Sequence, residues 1–189
     1  DAITTPRAFL ATLLAAGATP RLGWADVGNP LWLAAARLPD GGFALFGIDR
    51  DGRATFDIPL PARGHAGAGH PTRAEAVAFA RRPGAFALVL DCATGTVLHR
   101  LTPPEGRPFN GHGVFAAGGA ALLTSEQRAG DSAGVIGLWD VEDGYRRRGH
   151  RPPDGIGPHA LPPMADGQTL GTAHRRTATA AGHPATAVP

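Results

Sequence analysis

The residues whose type and spacing could carry chemistry are histidines. His65, His112 and His159 each follow a Gly or a Pro, and both intervals are 47 residues. Neutral imidazole is a good ligand for iron, copper and zinc. Three imidazoles gathered by a repeating fold could therefore hold a transition metal, with Glu126 and His70 as further donors. The same pattern has a structural reading. A histidine just ahead of an inner strand can hydrogen-bond a turn carboxylate, and Asp49, Asp91 and Asp140 recur once per repeat as partners of that kind. Such a pair would satisfy two polar groups at once. None of the histidines stands in a tight zinc spacing such as His-x-Glu or Cys-x-x-Cys. The cofactor expectation is accordingly either none or a transition metal.

Other chemistries are easier to exclude. All 18 basic side chains are Arg, so there is no Lys for a phosphate-binding loop or a Schiff base. Ser125 and Ser132 lack a Gly-x-Ser-x-Gly elbow. The single Cys92 cannot form an internal disulfide, and its neighbour Asp91 disfavours a thiolate. No residue is assigned a catalytic role, and the balance leans against an enzyme. Trp32 and Trp139 read as packing residues. The formal net charge is +2, but residues 26–170 hold 14 Arg against 15 Asp plus Glu, so the basic excess lies at the ends. The cluster Arg146, Arg147, Arg148 and Arg151 has no interleaved aromatics for single-stranded nucleic acid. It reads as a solvated strand edge, where charge discourages pairing. No nucleic-acid partner is expected.

The elements that would position the histidines are short strands. Three segments share one grammar: an apolar strand, a Gly- or Pro-marked turn, a second apolar strand, an Asp-rich turn ending in Gly, and a third strand leading to the His element. The Asp turns begin at Asp49, Asp91 and Asp140. This spacing is that of one four-stranded propeller blade per repeat. The expected fold is all-β, with propeller-like repeats over 26–170, around 31–73, 74–115 and 115–164, making about three blades of an incomplete ring. A β-sandwich is the competing architecture. Residues 74–82 alternate Ala with Val77 and Phe79 and suit a strand, with Pro83-Gly84 as a tight turn.

The ends differ from this middle. Residues 8–18 form a short apolar stretch after Arg7, too short to span a bilayer, and Gly23 and Ala25 are the small residues a signal peptidase needs. Residues 1–25 therefore read as an export signal, with cleavage after Ala25. Residues 171–189 contain no acidic side chain and no strand-length apolar run. They read as a disordered or frame-shifted tail.

Two resemblances extend this. Around Arg7, Phe9 and Leu10 the N-terminus resembles twin-arginine export signals, with Pro6 where the first Arg would stand. The motifs Arg63-Gly64-His65, His70-Pro71-Thr72-Arg73, Ala80-Arg81-Arg82-Pro83-Gly84, Gly111-His112-Gly113-Val114-Phe115, Thr124-Ser125-Glu126, Gly134-Val135-Ile136-Gly137 and Gly155-Ile156-Gly157-Pro158-His159 together resemble the bacterial family called domain of unknown function 1513. That resemblance covers about residues 7–170 and then stops, as in a truncated chain. It implies an exported, periplasmic β-propeller with no integral membrane segment, whose partners would be periplasmic iron-uptake or redox proteins. The leading expectation is a non-enzymatic binding or accessory module linked to iron acquisition. The alternatives are a metal- or redox-cofactor enzyme using a His-lined face, and a non-functional fragment.

Overall fold

The computed structural model describes residues 30–152 and 158–161, with isolated strand fragments at 173–174, 177–178 and 186–187. The signal residues Arg7, Phe9, Leu10 and Ala25 lie outside the described residues, as does most of the tail. The architecture is all-β, as expected. The first sheet contains β1 (Trp32–Arg37), β2 (Phe43–Ile48) and β3 (Ala54–Leu60). The second contains β4 (Gly64–Gly69), β5 (Glu75–Ala80), β6 (Ala87–Asp91) and β7 (Thr96–Leu101). The third contains β8 (Phe109–Ala116), β9 (Ala121–Gln127), β10 (Gly134–Asp140) and β11 (Arg146–Arg151). All three are antiparallel meanders in sequence order, the form of propeller blades. A further strand, β12 (Pro158–Ala160), pairs with a fragment at Ala173–His174. Among the described residues no helix is long and apolar enough to cross a membrane.

The repeated Asp turns have one cause. The carboxylate of Asp49 accepts the backbone N–H groups of Asp51 and Arg53 at 2.9 and 2.8 Å. Asp91 accepts those of Ala93 and Thr94, and Asp140 accepts that of Asp143. The glycine closing each turn, Gly52, Gly95 or Gly144, has φ between +60° and +79°. Side chains other than Gly resist that conformation. These aspartates therefore hold their own turns and do not partner the histidines, contrary to the structural expectation for His65 and His112.

The Asp turn also fixes which strands correspond. It joins the third and fourth strands of the second and third sheets, but the second and third strands of the first. The first sheet thus lacks, among the described residues, the counterpart of β4 and β8. Those two strands pack side by side, and β8 packs beside β12, forming an inner row. The His elements do not precede this row; they belong to it.

Strand periodicity explains the core. Side chains alternate between the two faces of a strand. In the second sheet Val77, Phe79, Ala87 and Val89 face the third sheet, where they meet Phe109, Leu122 and Trp139. Ala78, Ala80, Leu88 and Leu90 face the first sheet, where they meet Leu45, Ile58 and Leu60. Both faces of β5 and β6 are buried, which is why these strands read as nearly continuous apolar runs.

Candidate functional site

The inner row brings His65 and His112 together. His65 lies on β4 and His112 on β8, with their Nε2 atoms 3.2 Å apart and the ring planes at 83°. Two glycine positions shape this approach. Gly111 has φ +94°, and a Cβ there would lie 2.7 Å from the His65 ring, so only a glycine lets that imidazole settle beside β8. Gly113 likewise leaves room for Phe79 and the Leu123 carbonyl. Ser125 Oγ donates to the His112 carbonyl at 3.0 Å and anchors the strand.

The pair can work in two ways. As neutral rings, one Nε2–H donates to the lone pair of the other nitrogen. Alternatively, two nitrogens each about 2.0–2.1 Å from one metal ion lie about 3.3 Å apart at a tetrahedral angle. The observed separation fits both. His65 is exposed and His112 half-buried, so the pair is open to solvent. His159 falls on β12, the next strand of the row, but its side chain is outside the described residues. Among the described residues no group of three or more His, Cys, Asp or Glu side chains could hold a metal ion. Two residues before His112, Asn110 is buried, with its Nδ2 donating to the Pro158 carbonyl at 3.2 Å and its Oδ1 without a partner among the described residues.

The other candidate donors are committed elsewhere. Glu126 is fully buried and held by both terminal nitrogens of Arg147, at 2.7 and 2.8 Å, and by the Thr124 hydroxyl at 2.8 Å. The Arg147 guanidinium also stacks on Trp139, 5.1 Å from the ring centre, and Trp139 Nε1 donates to Thr124 Oγ1. With these acceptors in use, Glu126 is a structural ion-pair partner. His70 is buried too. Its Nδ1 accepts the N–H groups of Thr72 and Arg73, at 3.1 and 3.0 Å. That fixes the proton on Nε2, which donates to the Gly119 carbonyl at 3.2 Å. Burial lowers its pKa from 6.5, as does the charge of Arg73, against Glu75 and Glu142. Cys92 is buried, and its pKa rises to about 12 through desolvation first, then Asp91 and Glu75.

The arginine cluster divides by strand parity. Arg146 and Arg148 lie on the solvent side of β11 and pair with Asp143 and Asp140. Arg147, between them, turns inward to Glu126. Sequence reasoning did not distinguish these roles. It also missed a polar lock between the second and third sheets, where the Tyr145 hydroxyl donates to Glu75 at 2.6 Å and Arg73 bridges Glu75 and Glu142.

The family described as "Protein of unknown function (DUF1513)" matches residues 58–182. The chain belongs to this family. The matched range runs from within β3 through the inner row and past Leu170, and includes His65, His112 and His159. No curated protein matches the chain. Among solved structures, a protein of unknown function from Bacteroides caccae is similar, with a TM-score of 0.47 at 13% identity. The similarity covers 74% of this chain and 46% of that one, so this chain spans just under half the length of that protein.

Proposed function

We propose that this family member is an exported, periplasmic, non-enzymatic binding module that serves iron acquisition by holding a transition-metal ion at the inner-row histidines. One observation carries the reading: two imidazole nitrogens from sequence-equivalent positions of successive sheets stand 3.2 Å apart on an open surface. That separation suits two adjacent ligands of one ion, and the donor type suits iron, copper or zinc. His159 recurs at the same 47-residue interval and is the third candidate. A binding role is favoured over catalysis because three reactive groups among the described residues are spent. Cys92 is buried and protonated, Ser125 is tied to the backbone, and His70 is locked in one tautomer. Export is supported by the apolar segment within the first 25 residues, and the link to iron by the family resemblance alone.

Titration of the purified chain with zinc, cupric and ferrous ions tests the proposal. Micromolar binding of at least one ion is expected, and His65→Ala and His112→Ala should each abolish it. His159→Ala should weaken it. Binding by none of the three ions, or binding unchanged in both His65→Ala and His112→Ala, would refute the reading.

A further inference from the structure

The arginines around His65 carry a further inference, which rests on the metal reading and names the form in which the ion is taken up. Antiparallel meanders send alternate loops to opposite ends of the sheets. At the end where β4 starts, the loops 38–42, 61–63, 81–86, 102–108 and 128–133 hold five Arg against three acidic residues. Two of these acids are engaged locally, Asp40 accepting the Gly42 N–H and Asp131 pairing with Arg128. Within these loops that sets Glu105 against Arg63, Arg81, Arg82 and Arg107. The loops at the other end hold three Arg and four acidic residues, with the turn carboxylates of Asp91 and Asp140 beside them. The two ends therefore differ in sign, and His65, two residues after Arg63, lies at the positive one.

Two of the arginines stand face to face. The Arg81 N–H donates to the Arg63 carbonyl at 2.7 Å, which carries the Gly64–Ala80 register one step further. Arg63 and Arg81 are thus directly opposite each other on one face of the second sheet, and both are exposed. Like charges directly opposite in a ladder are destabilising. An anion between them turns that repulsion into attraction, and the planar guanidinium fork matches the two oxygens of a carboxylate.

The histidines next to this pair sit where their strands depart from regular pairing. The ladder shifts between Gly64 and Gly67 on β4, and between Phe109 and Gly113 on β8. Shifts of this kind re-aim side chains and are common beside functional sites. Nitrogens 3.2 Å apart take neighbouring corners around an ion, since opposite corners would be about 4 Å apart. A six-coordinate ion held in this way keeps further corners for oxygen donors, which a carboxylate chelator can fill. We infer that the inner-row site takes its metal as an anionic polycarboxylate chelate. The imidazoles of His65 and His112 hold the ion, and Arg63 and Arg81 hold carboxylate oxygens that the ion leaves free.

Equilibrium dialysis of the full-length chain with isotope-labelled citrate tests this, with zinc, cupric and ferrous ions each supplied bare and as the citrate chelate. With at least one ion, the chelate should bind more tightly than citrate alone. Arg63→Gln with Arg81→Gln should weaken chelate binding about tenfold by removing charge-assisted hydrogen bonds. The same variant should leave binding of the bare ion unchanged or slightly stronger, because two positive charges are gone. His65→Ala should lose the bare ion and the ion-dependent citrate together. In the unaltered chain, added salt should weaken chelate binding while sparing that of the bare ion. A bare ion that binds while its chelate does not, citrate held equally without any ion, or a chelate held equally by the double arginine variant would each overturn the inference and leave the metal reading standing. Binding of no ion in either form would overturn both.

Discussion

His70 shows how one side chain can be read from sequence as a ligand and turn out to be a brace. Both ring nitrogens are occupied by backbone, and the ring lies edge-on to Phe115 with centroids 4.7 Å apart. Gly119, with φ +103°, leaves the space the ring fills. Burial disfavours the charged ring and, with the nearby Arg73, lowers the pKa below 6.5, and protonation would also forfeit both bonds at Nδ1. Above pH 6.5 the ring is neutral in both folded and unfolded chains, and its full contribution is present. As the pH drops below 6.5 the unfolded chain takes up the proton first, and stability declines until the folded-state pKa is passed. Urea unfolding across this range should show that decline, and His70→Gln should remove this share of it while lowering stability at neutral pH. The histidine type was legible at 70, 65 and 112. The partners were not, because they are backbone groups and a ring distant in sequence, which no spacing rule encodes.

At the scale of elements, β9, β10 and β11 are stitched by a buried charge pair. Glu126 follows Leu122 and Thr124 on one face of β9, and Arg147 reaches it from β11 across Gly137 of β10. A Cβ at Gly137 would intrude on Glu126, Thr124 and Arg147 together. Arg147→Ala leaves a carboxylate buried without its partner and should cost about 3–5 kcal/mol. Replacing both partners, as Glu126→Leu with Arg147→Met, should recover most of that loss, measured by denaturant unfolding. The strands themselves were legible from period-two alternation and from the Asp–Gly turns, whose mechanism is local. The inward arginine was not, since Arg146, Arg147 and Arg148 look alike until parity and Gly137 assign them to different faces. The place of the histidine elements was also displaced in the sequence reading. Each one appeared to close a repeat because it follows that repeat's last strand, yet it pairs onward with the next sheet.

For the molecule as a whole, the repeat dictates how stability is distributed. Among the described residues one core lies between the first and second sheets and another between the second and third. Phe109 is fully buried in the second of these cores and faces Phe79 and Trp139. Phe109→Ala should cost about 3–5 kcal/mol. Hydrogen exchange should quicken in the second and third sheets and stay slow in β2, which belongs to the other core. Blade-like architecture was readable because it is written three times in the chain. The separation of the cores was foreshadowed only in β5 and β6, where every residue but Glu75 and Asp91 at the strand ends is apolar and can serve either side.

The two-faced second sheet has a consequence for how such a chain comes into being. Val77 and Phe79 find their packing only when residues near 109 and beyond have arrived, while Ala78 and Leu88 can already rest on what came before. A chain that grows or is threaded from its N-terminus therefore always carries one unfinished surface, on the trailing side of its newest sheet. Each new sheet seals that surface and opens another, so the growing end is sticky at every stage and the burden of shielding it passes down the chain.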